Sequence, residues 1–379
     1  MTSELSSLCS YAKGKVSVDT LSKRNYVSTE NMMPNKGGIV DAGALPSAQY
    51  TQQYIKDDIL VSNIRPYFKK IWMADDDGGC SNDVLVFRAD RGCDSTFLYY
   101  ILANDAFFNY ASATSKGTKM PRGDKTAIMQ YKVPCFNYET QLRIGKLLRS
   151  IDDRIAVNKK INDNLQQQLF SLYENMATAS PCLKEYTLSN LCDFQEGYVN
   201  PLQTHPEYFD GEVKWLRAVD INESFIIETS RTLTKAGFES AKKSALLFEP
   251  NTIAISKSGT IGRLGIIADY MCGNRAVINI APHDTNMLAF IYCFLKSKQR
   301  EFPDMAVGSV QKNLYVSLLE PLSVSIPDNE SLTAFNAVGA SILGMIHNNC
   351  VENTDLANLR DTILPKLMSG EIDVSSVLL

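Results

Sequence analysis

Residues 144–176 read IGKLLRSIDDRIAVNKKINDNLQQQLFSLYENM. Stepping alternately by four and three from Ile144 lands on Leu148, Ile151, Ile155, Asn158, Asn162, Leu165, Leu169, Leu172 and Met176. A seam of this period over more than four heptads predicts a long helix built to meet another helix. Asn137 and Glu139 suit its cap and first turn, and Pro181 marks its exit, so the helix is expected over 138–177. A second seam runs through Phe335, Val338, Ile342, Met345, Asn349, Glu352, Leu356, Leu359 and Ile363. Asp328 is its candidate N-cap, and Pro365 followed by Gly370 is expected to stop it, which predicts a helix over 329–364.

The two seams are copies. Ile151 and Ile342 lie 191 residues apart, and the same interval separates Asn158 from Asn349, Leu165 from Leu356, and Leu172 from Ile363. Near the start of each copy, Leu5-Ser6-Ser7-Leu8-Cys9 matches Leu188-Ser189-Asn190-Leu191-Cys192. A two-fold repeat of this size is no solenoid, whose units run ~20–50 residues. It predicts a pseudo-dimer in one chain, made to meet a partner with two related halves. Each helix would be ~55–60 Å long at 1.5 Å per residue. The expected arrangement is an antiparallel coiled coil, its polar breaks paired near the middle to set the register. The alternative is that each helix simply lies on its own domain.

Bulk properties narrow the class. The chain has 379 residues, enough for two or three domains, and 45% hydrophobic residues let each half bury a core. No apolar run is long enough to span a membrane, and the first residues carry no secretory pattern, so a cytoplasmic protein is expected. Nine cysteines, odd in number and without a C-x-x-C pair, argue against a disulfide framework and a zinc site. The net charge of −4 counts mildly against nucleic-acid binding, yet affinity depends on local patches and on charge supplied by partners.

The segments before the two helices share a frame. Ile59-Leu60-Val61-Ser62 and Val84-Leu85-Val86-Phe87 read as buried strands and 97–108 as a helix. The second copy has Ile253-Ala254-Ile255-Ser256, then Ala276-Val277-Ile278-Asn279, then a helix over 287–295. The loops differ far more: 63–70 against 257–265, and the polar glycine turn 115–125 against 307–314. A common frame with different polar and basic loops suits two related readers of different targets.

Taken in order, several short motifs give the chain a resemblance over essentially its whole length. They are Ser256-Lys257-Ser258-Gly259-Thr260-Ile261-Gly262, Gly308-Ser309-Val310-Gln311-Lys312-Asn313-Leu314, Ile326-Pro327, and Leu364-Pro365-Lys366-Leu367-Met368-Ser369-Gly370-Glu371-Ile372. Together, inside the duplicated layout, they resemble the DNA specificity subunit of type I restriction–modification systems. The first copy departs from the usual glycine turn, with Met120-Pro121-Arg122 standing where the second has Gln311-Lys312-Asn313. The resemblance implies a mixed α+β fold: two target recognition domains joined by two long helices in an antiparallel coiled coil. The implied boundaries are 1–136 and 179–327 for the recognition domains, 137–178 and 328–366 for the helices, and 367–379 for a tail. It also implies a split, asymmetric site on double-stranded DNA and docking of two modification (methyltransferase) subunits and of restriction (ATP-dependent endonuclease) subunits. No cofactor is expected on this chain; S-adenosylmethionine, ATP and magnesium belong to the partners.

Catalytic signatures are not visible. Gly259-x-x-Gly262-x-x-Gly265 is neither G-x-G-x-x-G nor at the start of a helix, and no Walker, H-E-x-x-H, G-x-S-x-G or Asn-Pro-Pro-aromatic motif occurs. Asp75-Asp76-Asp77 beside Gly78-Gly79 reads as a solvated turn rather than a metal site. An enzyme with unseen motifs and a purely structural adaptor are the two other classes in play. Arg, Lys, Asn and Gln read base edges best, while Lys, Arg, Ser, Thr and backbone N–H hold phosphates. The candidate DNA contacts are therefore Arg65, Tyr67, Lys69, Lys116, Lys119, Arg122 and Lys125 in the first copy. In the second they are Lys257, Ser258, Thr260, Arg263, Arg275, Gln311, Lys312 and Asn313.

Overall fold

In a computed structural model the chain is described over residues 2–179, 184–309 and 311–375, so Pro181, Cys182 and Val310 lie outside the described residues. It forms two compact units, from the described parts of Met1–Arg154 with Leu356–Leu379, and of Ile155–Asp355. Both are mixed α+β, and each contains stretches of both long helices. Among the described residues no helix is long and apolar enough to cross a membrane.

The first unit has a core sheet of β1 (Cys9–Tyr11), β2 (Ile59–Ser62), β3 (Ile71–Met73) and β4 (Val84–Ala89), in the order β1-β4-β2-β3. Every residue of β2 is buried, because successive side chains enter two different cores. Ile59 and Val61 pack with Leu85, Phe87 and the helices, while Leu60 packs with Val86, Tyr54 and Cys80 under a second sheet. After β4 come α1 (Ser95–Ala103) and α2 (Asp105–Ala113). The sequence pattern suggests one helix here; Asn104 divides it, adopting an extended backbone and capping α2 through the N–H of Ala106 at 2.9 Å.

The second unit repeats this frame. Its sheet holds β5 (Cys192–Glu196), β6 (Phe225–Ile226), β7 (Ile253–Ser256), β8 (Leu264–Ile267) and β9 (Val277–Pro282), in the order β5-β9-β7-β8-β6. The register is conserved between units: Ile59 faces Phe87 and Ser62 faces Val84, as Ile253 faces Ile280 and Ser256 faces Val277. Two cores again divide the β7 side chains, Ile253 and Ile255 on one side and Ala254 on the other. The helix after β9 in this unit is α4 (Leu288–Lys298), followed by a short helical turn over Phe302–Met305.

The long helices are α3 (Tyr138–Ala179) and α5 (Asn329–Ser369). Asn137 and Asp328 cap them as expected, accepting from the N–H of Thr140 and of Ser331, each at 2.8 Å. The seam of α3 is buried at Ile144, Leu148, Ile151, Asn158 and Leu169 and half-buried at Ile155 and Leu165. It then moves by one residue. Leu172 is exposed, and Tyr173 instead packs edge-on against Phe290 and Phe335.

The α5 seam has the opposite phase to that expected at alternate positions. Phe335 and Ile342 are buried and Asn349, Leu356 and Ile363 half-buried, but Val338, Met345 and Leu359 are exposed. Their places are taken by Gly339, Ile346 and Arg360. The steps from Phe335 are four then three, not three then four, because a small residue occupies the contact. A Cβ on Gly339 would lie 2.6 Å from that of Ala289, so only glycine lets α5 approach the helix there. Pro365 does not stop the helix. α5 runs through it to Ser369, and Gly370, at a φ of +76°, ends the helix. Leu367 and Val374, assigned from sequence to a tail, are buried in the core of the first unit.

Within each unit the two long helices run antiparallel. In the first, Asp152 on α3 accepts from Arg360 on α5 at 2.6 Å and from the Tyr100 hydroxyl at 2.6 Å. In the second, Asn158 Nδ2 donates to Asn353 Oδ1 at 3.1 Å and to Glu352 at 2.8 Å, and Asn349 Nδ2 donates to Asn162 Oδ1 at 2.8 Å. The repeat interval makes Asn349 the copy of Asn158 and Asn353 the copy of Asn162. The two bonds are therefore one bond and its repeat, and the local pseudo-two-fold of the helix pair passes between them. The expected polar break is present, but Asn158 bonds Asn353 rather than its own copy. Buried amides paired in this way fix register, since a slip would leave each unsatisfied.

Candidate nucleic-acid interface

At the end of each central strand two loops meet. In the first unit the turn after β2 carries Arg65, whose backbone N–H donates to Pro121 O at 2.8 Å. The facing glycine turn is closed by reciprocal bonds between Lys116 and Arg122, both 2.9 Å, and Gly123 N–H reaches Asn63 O at 3.1 Å. In the second unit the facing turn is closed by Val307 and Asn313, at 3.0 and 2.9 Å, and Leu314 N–H reaches Lys257 O at 2.9 Å. Both glycine turns are closed by a reciprocal backbone pair six positions apart, so the different sequences share one closing pattern. The candidates Arg65, Lys116, Lys119 and Arg122 come together in one cluster. So do Lys257, Ser258, Thr260, Arg263, Gln311, Lys312 and Asn313 in the other.

The 256–263 loop is held from within. Ser256 Oγ donates to Thr260 O at 2.5 Å and accepts from Arg263 N–H at 2.8 Å. Gln299 Nε2 donates both to Gly262 O, at 2.9 Å, and to Glu223, at 2.7 Å, while Lys296 pairs with the same carboxylate. Arg275 is exposed beside this loop, because Lys257 N–H donates to Ala276 O at 2.7 Å.

The cations differ in how free they are. Lys119, Lys312 and Gln311 are exposed. Lys116 pairs with Asp124 at 2.5 Å, and Arg122 with Asp83 at 3.1 Å. The hydrogen bond from Lys116, then those from the N–H of Ala127 and Thr126, hold Asp124 below its usual pKa. That clasp is present above the unfolded aspartate pKa and is lost only as pH falls through the lower folded value. Lys69 lies apart from the cluster and shares Asp105 with Lys36. Burial acts to raise the Asp105 pKa, but hydrogen bonds from Lys69 and Lys36 outweigh it and lower the value. Tyr67 is exposed against Phe68, and Lys125 opens a short helix with its ammonium 6.0 Å from the Tyr11 ring centre. Lys257 is the least available: its side chain is only 12% exposed, paired with Glu196 at 2.8 Å and set over Tyr315. Its geometry is that of a strut beneath the loop.

Among the described residues no group of three or more His, Cys, Asp or Glu side chains could hold a metal ion. In the Asp75-Asp76-Asp77 turn, carboxylates bond backbone: Asp77 accepts from Lys56 N–H and Asp76 from Asp77 N–H. Burial raises the thiols of Cys80, Cys93, Cys192, Cys272 and Cys293 to about 12, so they stay protonated and inert as nucleophiles near neutral pH.

Two copies of a mixed sheet, each with a paired polar loop cluster and spliced onto long antiparallel helices, define a duplicated recognition protein. The family model for the type I restriction modification DNA specificity domain matches residues 1–167 and 183–354, one match per copy. The chain belongs to this family, whose part in such systems is to recognise DNA rather than to catalyse. It is 23% identical over 308 residues to the type I restriction enzyme MjaIX specificity subunit of Methanocaldococcus jannaschii, covering 76% of this chain and 71% of that protein. It is 27% identical over 176 residues to the HindI specificity subunit of Haemophilus influenzae, covering 45% of this chain and 38% of that protein. The fold matches the crystal structure of the type I restriction-modification S subunit from M. genitalium with a TM-score of 0.57 at 19% identity, over 97% of this chain and 96% of that one.

Proposed function

We propose that this chain reads a bipartite, asymmetric site on double-stranded DNA, each unit reading one half through its loop cluster. The observation that carries this is the recurrence of one loop-pair bonding pattern at the same strand end in both units, with different side chains on it. Different polar and basic groups in one frame are what reading two different half-sites requires. Of the candidates, Arg65, Lys116, Lys119 and Arg122 serve the first half-site, with Tyr67, Lys69 and Lys125 at its margin. Thr260, Arg263, Arg275, Gln311, Lys312 and Asn313 serve the second, with Lys257 and Ser258 supporting the loop.

The long helices act as spacer and scaffold in the cytoplasm. Val157, Ile161, Val338, Met345 and Leu359 leave apolar surface on them outside the seam. Such surface suits docking of modification subunits, and restriction subunits complete the assembly. S-adenosylmethionine, ATP and magnesium are used on those partners.

The test is to express the chain with a modification subunit in methylation-free cells and read methyladenine by modification-sensitive sequencing. A two-part motif that disappears when this chain is omitted is the expected result. No new methylation from a folded complex would overturn the reading. One heptad added to each helix, ~10 Å at 1.5 Å per residue, should widen the gap between half-sites and leave the bases unchanged.

A further inference from the structure

The second sheets of the two units share an anchor. Tyr26 and Val27 pair in parallel with Gly79 and Cys80, as Trp215 and Leu216 do with Cys272 and Gly273. The chain then turns in the same way. Asn31 Oδ1 accepts Ser28 N–H at 2.6 Å, Asp220 Oδ2 accepts Arg217 N–H at 2.9 Å, and Met32 and Ile221 enter the core. Arg217 thus stands where the first unit has Ser28.

What surrounds it has no counterpart among the described residues of the first unit. The Arg217 guanidinium lies 5.5 Å from the Trp215 ring centre, and its Nη2 donates to Ser230 Oγ at 2.5 Å. Ser230 is fixed in turn by Asp220, which accepts its N–H at 3.0 Å and its hydroxyl. Arg231 covers Phe209 at 4.1 Å and donates to Gln203 at 2.9 Å. Trp215 is itself locked, with Nε1 donating to Val199 O at 2.8 Å. This apparatus lies in the longer connection of the second unit, with 61 positions from Cys192 to Ile253 against 50 from Cys9 to Ile59.

It also adjoins the loop cluster. Asn274 N–H donates to Leu216 O at 2.9 Å and Lys257 N–H to Ala276 O at 2.7 Å. The turn bearing Arg275 therefore bridges Arg217 and the 256–263 loop. Arg217 Nε is buried, 3.6 Å from Asp220, and without a hydrogen-bond partner among the described residues. Ser230 takes one of the five guanidinium donors. A guanidinium propped on an indole has already lost the rotamer freedom that an exposed lysine loses on binding, and its planar fork matches the O6 and N7 of guanine.

We propose that Arg217, propped by Asp220 and Ser230 over Trp215 and flanked by Arg231, is a specificity-determining residue that reads a guanine in the second half-site. This rests on the reading of the chain as a two-domain DNA-recognition subunit.

The test compares wild type with Arg217→Lys, Arg217→Ala and Asp220→Asn in the complex with the modification subunit, by modification-sensitive sequencing and by affinity for matched and singly altered duplexes. Thermal melts check folding. With Arg217→Lys, which keeps the charge but not the fork, the preference for guanine at one second-half position should fall roughly ten- to a hundred-fold. Affinity for unrelated DNA and the first half-site bases should not change. Asp220→Asn should weaken the same position to a smaller extent. An unchanged motif in the folded Arg217→Lys complex, or equal loss across both half-sites, would overturn the proposal. Absence of a bipartite motif with wild type would instead sink the underlying reading, and the proposal with it.

Discussion

The two units solve one problem with different means of fixing their side chains. In the first, cations of the loop cluster are clasped by carboxylates: Lys116 by Asp124 and Arg122 by Asp83. In the second, the corresponding position to Asp83 is Ala276, and order comes from a serine bolt, a glutamine bridge and aromatic platforms. An exposed ion pair contributes ~1 kcal/mol or less and yields readily to a competing phosphate. A hydroxyl buried between backbone groups does not yield. On the reading proposed above, the first unit is the more adjustable of the two and the second the more preorganised.

The sharpest test lies at the two glycines that open the equivalent turns. Gly117 and Gly308 both have positive φ, +96° and +141°. A Cβ on Gly117 comes no closer than 3.5 Å to any atom, the nearest being Met120 O, whereas on Gly308 it would sit 2.1 Å from Gln311 O. Gly117→Ala should therefore cost only backbone strain, ~1–2 kcal/mol. Gly308→Ala adds overpacking of ~1–3 kcal/mol and should nearly abolish recognition of the second half-site while sparing the first. Binding to duplexes in which only one half-site is altered measures both. Equal effects would mean that the two opening glycines do not differ in crowding as described.

A smaller contrast is expected at Ser62 and Ser256, which occupy the same register position. Ser256 Oγ serves two backbone partners, Thr260 O and Arg263 N–H, and is fully buried. Ser62 Oγ serves one, Ile64 O at 3.1 Å. Ser256→Ala should destabilise by ~1–3 kcal/mol, because it strands buried groups, and Ser62→Ala by ~0.5–1.5 kcal/mol. Urea unfolding midpoints give the comparison. A larger loss at Ser62 would reverse the assignment of which loop is the more rigid.

Sequence reading recovers what depends on local pattern. The caps Asn137 and Asp328, the strands Ile59–Ser62 and Ile253–Ser256, and the α3 seam up to Leu169 all follow from periodicity and capping chemistry. It fails where a small or polar residue makes the contact. Gly339 and Asn353 sit on the α5 seam, while the more apolar Val338, Met345 and Leu359 face outward, so a search for hydrophobic residues selects the wrong phase. It also misses the shared anchor of the second sheets, since Tyr26-Val27 and Trp215-Leu216 share size and burial rather than identity. The signal for Arg217 was present as an insertion in one copy of a repeat, next to an aromatic strand end.

The smallest effect probes the clasp itself. Asp83→Asn should release Arg122, and Ala276→Asp should place a carboxylate at the equivalent point of the second unit, beside Lys257 N–H and Arg275. If Arg122 faces DNA, its release adds up to one phosphate contact. The slope of log affinity against log salt should then steepen by up to ~0.9, with affinity rising alike for all sequences at low salt. Ala276→Asp should do the reverse, by repelling the backbone from the second cluster. The two variants differ in sign because the first unit has a carboxylate, Asp83, where the second has Ala276. An unchanged slope in both would take Arg122 and Arg275 off the DNA face, and with them the idea that charge clasping separates the two units.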